Sequence, residues 1–207
     1  MRKLIIAQFL TLDGVSQAPG GPEEDTENEF KYGGWQIPYM GEDDGNVMAQ
    51  IFDNMGAMLL GRKTYDIFAD YWPHAGDGEQ ELIGEEDASI AKLMNGVPIY
   101  VASHADAIKE WDNETTKVTH LGADLATEIN QIKQQDGKDI IVWGSGDLAQ
   151  SLMEYGLVDE YFLMIYPLIL GTGKKFFHDG FPKSELELKS SKTLSSGVFV
   201  GTYSTKK

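Results

Sequence analysis

A chain of 207 residues that is 42% hydrophobic and 11% aromatic is long enough to bury one sizeable core, and a single domain spanning 1–207 is expected. Its formal charge of −16 disfavours nucleic acid or an anionic membrane as a partner, because the long-range field repels polyanions; any bound phosphate needs a local basic patch. The absence of cysteine excludes disulfides, thiolate nucleophiles and cysteine-ligated zinc.

The first apolar run, residues 3–10, is interrupted by Gln8 and followed by Thr11 and Asp13 with no small-residue cleavage site, so it reads as a strand and not as a signal peptide. No stretch approaches the roughly 18 apolar residues of a spanning helix, and a cytoplasmic protein is expected. Thr11-Leu12-Asp13-Gly14 reads as a turn. Residues 16–45, rich in Gly, Pro and acids, read as a long surface loop of the kind that serves as a lid or a disordered insertion; residues 72–87 read the same way. Val47, Ile51 and Met55 fall at helical spacing, as do Leu125, Ile129 and Ile132.

Near-continuous apolar runs at 57–61, 97–102 and 139–143 read as strands buried on both faces. After 143 come a Gly turn, a helical pattern from Leu148 to Tyr155 and a long strand from Val158 to Tyr166. Residues 184–192 and 197–205, joined by Ser195-Ser196-Gly197, read as a closing antiparallel hairpin at the edge of a mixed sheet. Strand-helix alternation with that ending predicts a three-layer α/β/α fold with a mostly parallel mixed sheet.

Chemistry concentrates at two strand-to-helix junctions. At Gly61-Arg62-Lys63-Thr64-Tyr65 a helix opens with two cations and a hydroxyl, which suits a phosphate, although solvent-facing cations at a helix start are the plainer reading of the segment alone. At Trp143-Gly144-Ser145-Gly146-Asp147 glycines permit close backbone approach before a second helix. With Ala149 this imitates the Gly-x-Gly-x-x-Ala fingerprint of Rossmann domains, but it lies late in the chain and Asp159 and Glu160 follow too soon. Ser103-His104 follows a buried strand as either a turn or a ribose-phosphate contact. The acidic stretches at 23–25, 42–44 and 85–87 read as solvated loop charge ahead of metal sites. The four histidines lack metal-binding spacing, and no Gly-x-Ser-x-Gly elbow is present.

In order and spacing these segments resemble the dihydrofolate-reductase-like superfamily, in particular the branch containing the reductase domain of bacterial riboflavin biosynthesis. Besides the Leu12-Asp13-Gly14, Gly61–Tyr65 and Gly144–Gly146 segments, Tyr166-Pro167-Leu168-Ile169-Leu170-Gly171-Thr172-Gly173-Lys174-Lys175-Phe176-Phe177 is similar to a family signature. The resemblance implies NADPH as cofactor. Arg62 and Ser103 would hold the 2′-phosphate; Lys63 and Thr64, with Gly61 and the Gly144-Ser145-Gly146-Asp147 turn, the pyrophosphate; Ala7, Asp13 and Gly14 would flank the nicotinamide. It further implies a homodimer and a heterocyclic substrate.

Trp35-Gln36-Ile37-Pro38-Tyr39-Met40 resembles the Trp-x-x-Pro segment of folate reductases, with Met40 where they place a substrate-binding carboxylate; Glu42, Asp43 and Asp44 follow closely. Where riboflavin-pathway reductases tend to carry a basic residue and a Glu, this chain has Val15 and Trp143, the latter able to stack on a flat ring. Trp35, Met40 and Trp143 are therefore the candidate substrate contacts, and no catalytic residue is assigned. The expected function is reduction of a small pyrimidine- or pterin-like heterocycle by NADPH. Non-catalytic ligand binding on the same fold is the alternative, and a flavin-dependent reductase or a Rossmann-type dehydrogenase comes behind both.

Overall fold

The computed structural model describes residues 1–75, 87–122 and 124–206. Eight strands form one mixed sheet: β1 (Leu4–Thr11), β2 (Met55–Gly61), β3 (Ile99–Ala102), β4 (Val118–Leu121), β5 (Asp139–Trp143), β6 (Glu160–Tyr166), β7 (Leu186–Thr193) and β8 (Phe199–Thr205), in the order β4-β3-β2-β5-β1-β6-β8-β7. The helices are α1 (Glu42–Asn54), α2 (Arg62–Tyr71), α3 (Asp87–Asn95), α4 (Leu125–Gln134) and α5 (Gly146–Glu154). Pairings β1–β6, β2–β3, β2–β5 and β3–β4 are parallel, whereas β6–β8 and β8–β7 are antiparallel, as the expected closing hairpin requires. Among the described residues no helix is long and apolar enough to cross a membrane.

Two compact units partition these elements: Met1–Leu4 with Asn54–Leu157, and Ile5–Asp53 with Val158–Lys207. In the first unit, Ala57 to Leu60 of β2 and Ile140 to Trp143 of β5 are all buried, which is why their sequences run apolar without alternation. Strand β4 has no such run. Val118-Thr119-His120-Leu121 buries only Leu121, so no sequence pattern marks it, and it forms because it can pair with β3 from Ile99↔Val118 to Ala102↔Leu121. Helix α4 opens on Asp124, whose carboxylate accepts from the Thr127 N–H, and near its end the buried Lys133 donates Nζ to the Leu157 carbonyl at 2.8 Å. Of the expected 72–87 loop, residues 72–75 form a turn and 76–86 lie outside the described residues, so the 85–87 acidic stretch is reached only at Asp87, where α3 begins.

In the second unit the core gathers Val15, Phe30, Trp35, Val47, Met164, Tyr166, Leu194 and Val198. The segment expected as a lid or disordered insertion is instead a folded block. The Gln17 side chain, 3% exposed, donates Nε2 to the Asp25 and Glu27 carbonyls and accepts from the Lys174 N–H at 3.0 Å, while the Trp35 indole N–H donates to the Gln17 carbonyl at 2.7 Å. Two short 3-10 turns, Glu27–Glu29 and Ile37–Tyr39, lie in this block, and α1 already begins at Glu42. A buried amide side chain that bonds backbone groups on several segments fixes their relative path, which composition alone does not disclose.

Candidate functional site

In the first unit, β2 runs directly into α2 at Gly61, and β5 into α5 through Gly144-Ser145. Ser145 joins the two junctions: its hydroxyl donates to the Trp143 carbonyl and accepts from the Gly61 N–H, both at 2.9 Å. This needs Gly144 and Ser145 in consecutive left-handed conformations, φ +53° and +59°, the first natural for glycine and the second uncommon for serine. A side chain at Gly144 would press on Thr64 at 3.4 Å. Neither Gly61 nor Ser145 places a side-chain oxygen on a first-turn N–H of the helix it precedes. The outcome is a pair of neighbouring helix N-termini with uncapped backbone donors, an arrangement suited to the oxygens of a pyrophosphate.

The structure brings together Gly61, Thr64, Gly144 and Ser145, with Lys63 in the first turn of α2 and Gly146 and Asp147 in that of α5. Arg62 turns toward the loop after β3. Its Nε meets both Asp66 carboxylate oxygens at 2.9 and 2.8 Å, and Nη1 donates to the Ala107 carbonyl at 2.8 Å. Ser103 opens that loop, its hydroxyl accepting from the Ala105 N–H at 3.0 Å, which leaves its proton for an incoming acceptor. Trp143, 3% exposed, ends β5 in the packed interior.

In the second unit, Ala7 is fully buried within β1 and the Thr11–Gly14 segment is a turn, as expected, with Gly14 at φ +83°. Asp13 clamps that turn to the Gly-rich segment: it accepts from the Thr11 hydroxyl at 2.6 Å, the Gly171 N–H at 2.8 Å and the Leu170 N–H at 3.2 Å. Burial pushes its carboxyl up, but these hydrogen bonds outweigh burial and hold it below the usual carboxylate range. The clamp's stability is therefore complete above pH 4 and lost as pH falls through the lowered value. Asp13→Ala is expected to cost about 1–2 kcal/mol at pH 7, solvent access reducing what three charged hydrogen bonds would give, and to flatten the acid limb of stability against pH in urea melts.

Within the described acidic stretches several carboxylates are paired and not simply solvated. Glu24 folds back onto the Gly20 and Gly21 N–H groups, at 2.7 and 3.2 Å, and burial raises its pKa. Asp25 and Glu27 pair with Lys174, and Asp43 accepts from the Ser195 N–H at 3.2 Å.

Asp44, in the first turn of α1, is 7% exposed and its Oδ1 is buried without a hydrogen-bond partner among the described residues. Desolvation raises its pKa, with a smaller contribution from Asp43. Its charge reaches Tyr166, whose hydroxyl is pushed well above its ordinary value, first by burial and then by Asp44. Tyr166 is flanked edge-to-face by Trp35, Tyr39 and Phe9, with ring centroids at 5.2, 5.6 and 6.3 Å. Trp35 is 6% exposed within this aromatic group, whereas Met40 lies 44% exposed at the end of the second 3-10 turn. The spacing from Pro38 does not single out Asp44: this buried carboxyl lies four residues beyond Met40, which ends the turn, in a helix that starts afresh at Glu42.

A family model of the RibD C-terminal domain matches residues 2–200. The chain is 30% identical over 199 residues to the uncharacterised Bacillus subtilis protein YyaP, covering 95% of this chain and 92% of that one. Its fold is shared by a Shewanella sp. PV-4 protein assigned to riboflavin biosynthesis, with a TM-score of 0.72, 16% identity and 99% of both chains covered. It is also shared by Enterococcus faecalis dihydrofolate reductase complexed with NADP(H), with a TM-score of 0.55, 12% identity and coverage of 99% and 97%. The sheet with its antiparallel close, the paired strand-to-helix junctions and a family match over nearly the whole length agree: the chain belongs to the RibD C-terminal domain family, whose fold is that of reductases.

Proposed function

We propose that the protein is an NADPH-dependent reductase of a small planar heterocycle, pyrimidine- or pterin-like. The observation that carries this is the Ser145-linked pair of uncapped helix N-termini, in a chain of the RibD C-terminal domain family whose fold is shared by a reductase seen with NADP(H). When bound, NADPH supplies a hydride. The first-turn N–H groups of α2 and α5, with Lys63 and Thr64, bind its pyrophosphate, and Arg62 and Ser103 take the 2′-phosphate.

Reduction of a C=N bond also needs a proton on nitrogen, and the residue we assign to it is Asp44. A buried carboxyl with an unsatisfied oxygen, whose pKa desolvation raises, keeps its proton to higher pH than a free carboxylate and is suited to hydrogen-bond a ring nitrogen. Phe9 and Tyr39, partly buried against the buried Tyr166 near the same carboxyl, supply aromatic surface, which favours a flat ring over an aliphatic substrate. The competing reading, ligand binding without catalysis, is motivated by Met40 standing where a carboxylate is expected, and Asp44 weakens that motive.

Titration with NADPH and NADH, followed by nicotinamide fluorescence, tests the cofactor assignment. NADPH is expected to bind more tightly than NADH, and Arg62→Ala to weaken NADPH about tenfold while leaving NADH little changed. Failure of both dinucleotides to bind would overturn the reading.

A further inference from the structure

We infer that Asp66 is a specificity-determining residue that holds the protein's preference for the 2′-phosphorylated cofactor below what Arg62 and Ser103 alone would give. The inference rests on the NADPH reading above and deepens it. Asp66 lies one helical turn after Arg62 on α2, and both its carboxylate oxygens are within 2.9 Å of the Arg62 Nε. The two side chains are equally and only partly exposed, 37% each, so neither is shielded from a ligand arriving at the helix start.

Two effects follow from this contact, and they oppose one another. With the Ala107 carbonyl on Nη1, Asp66 fixes the plane of the guanidinium and uses only two of its five N–H groups, so the rest stay available to an anion already oriented. At the same time, the carboxylate neutralises the one cation assigned to the 2′-phosphate and places a negative charge beside a dianion. Orientation requires an acceptor at Asp66, whereas repulsion requires a charge. Asparagine separates them, because its amide oxygen still accepts from Nε but carries no charge.

Asp66→Asn is expected to tighten NADPH about three- to tenfold while NADH, which lacks the phosphate, changes less than twofold. The gain should shrink when ionic strength is raised from 0.05 to 0.5 M, since the groups are partly exposed and the Debye length falls with salt. Asp66→Ala, which removes acceptor and charge together, is expected to show a smaller gain than Asp66→Asn. An Asp66→Asn protein that binds NADPH no better than wild type, or that tightens NADH equally, overturns the inference and leaves the reductase reading standing. A wild-type protein that binds neither dinucleotide overturns both.

Discussion

Replacing Asp44 with Asn is expected to lower kcat/KM for heterocycle reduction by about 10² to 10⁴, the range typical of a lost general acid, with little change in NADPH affinity. The substitution keeps the shape and one acceptor oxygen but removes the ionisable proton, so the loss should fall mainly on the chemical step. A second readout does not depend on the substrate. Because folding raises the Asp44 pKa, the folded state favours the protonated acid, and wild-type stability should decline as pH rises from about 4 through the raised value. Asp44→Asn removes that decline, so urea melts should show the variant gaining on wild type between acidic and neutral pH. A variant that retains wild-type activity refutes the proton-donor assignment; one with an unchanged pH slope refutes the raised pKa.

The contrast between Asp44 and Met40 illustrates what the sequence discloses. Strands β1, β2, β5 and β6 are legible because their burial demands runs of apolar residues, and the C-terminal hairpin because its turn carries Gly197 at φ +86°. The Gly61 and Gly144 junctions are legible because close backbone approach leaves glycine as its trace. Strand β4 is not, because an edge strand with one buried residue has no pattern of its own. The partners of charged side chains in loops are not legible either: Glu24 with the Gly20 and Gly21 amides and Lys174 with Asp25 depend on loop paths that side-chain spacing does not encode, whereas Arg62 and Asp66 meet because they stand four residues apart on one helix. Nor does counting from Pro38 to Met40 disclose that the chain ends a 3-10 turn there and starts α1 two residues later.

The folded block at residues 16–40 supplies the second large effect, at Gly33. A Cβ there would lie 2.5 Å from the Pro22 carbonyl oxygen and 2.6 Å from that of Gly21, both backbone atoms that cannot rotate aside. Their position is held by neighbouring contacts: the Gly34 N–H bonds the Ala18 carbonyl at 2.8 Å, the Gln36 N–H bonds that of Pro19 at 3.2 Å, and the Trp35 indole is tied to Gln17. Gly33→Ala is therefore expected to cost about 3 kcal/mol, lowering Tm by about 6–12 °C in a chain of this size. Gly122→Ala serves as the control. Among the described residues, its chain neighbours aside, no heavy atom lies within 4 Å of its added Cβ, so its Tm should stay within about 2 °C of wild type. If 16–40 were instead a mobile lid, Gly33→Ala would be absorbed by loop movement and melt like the control. Because Trp35 also packs against Tyr166, the loss should extend to the aromatic group near Asp44 and appear as a change in tryptophan emission below the melting transition.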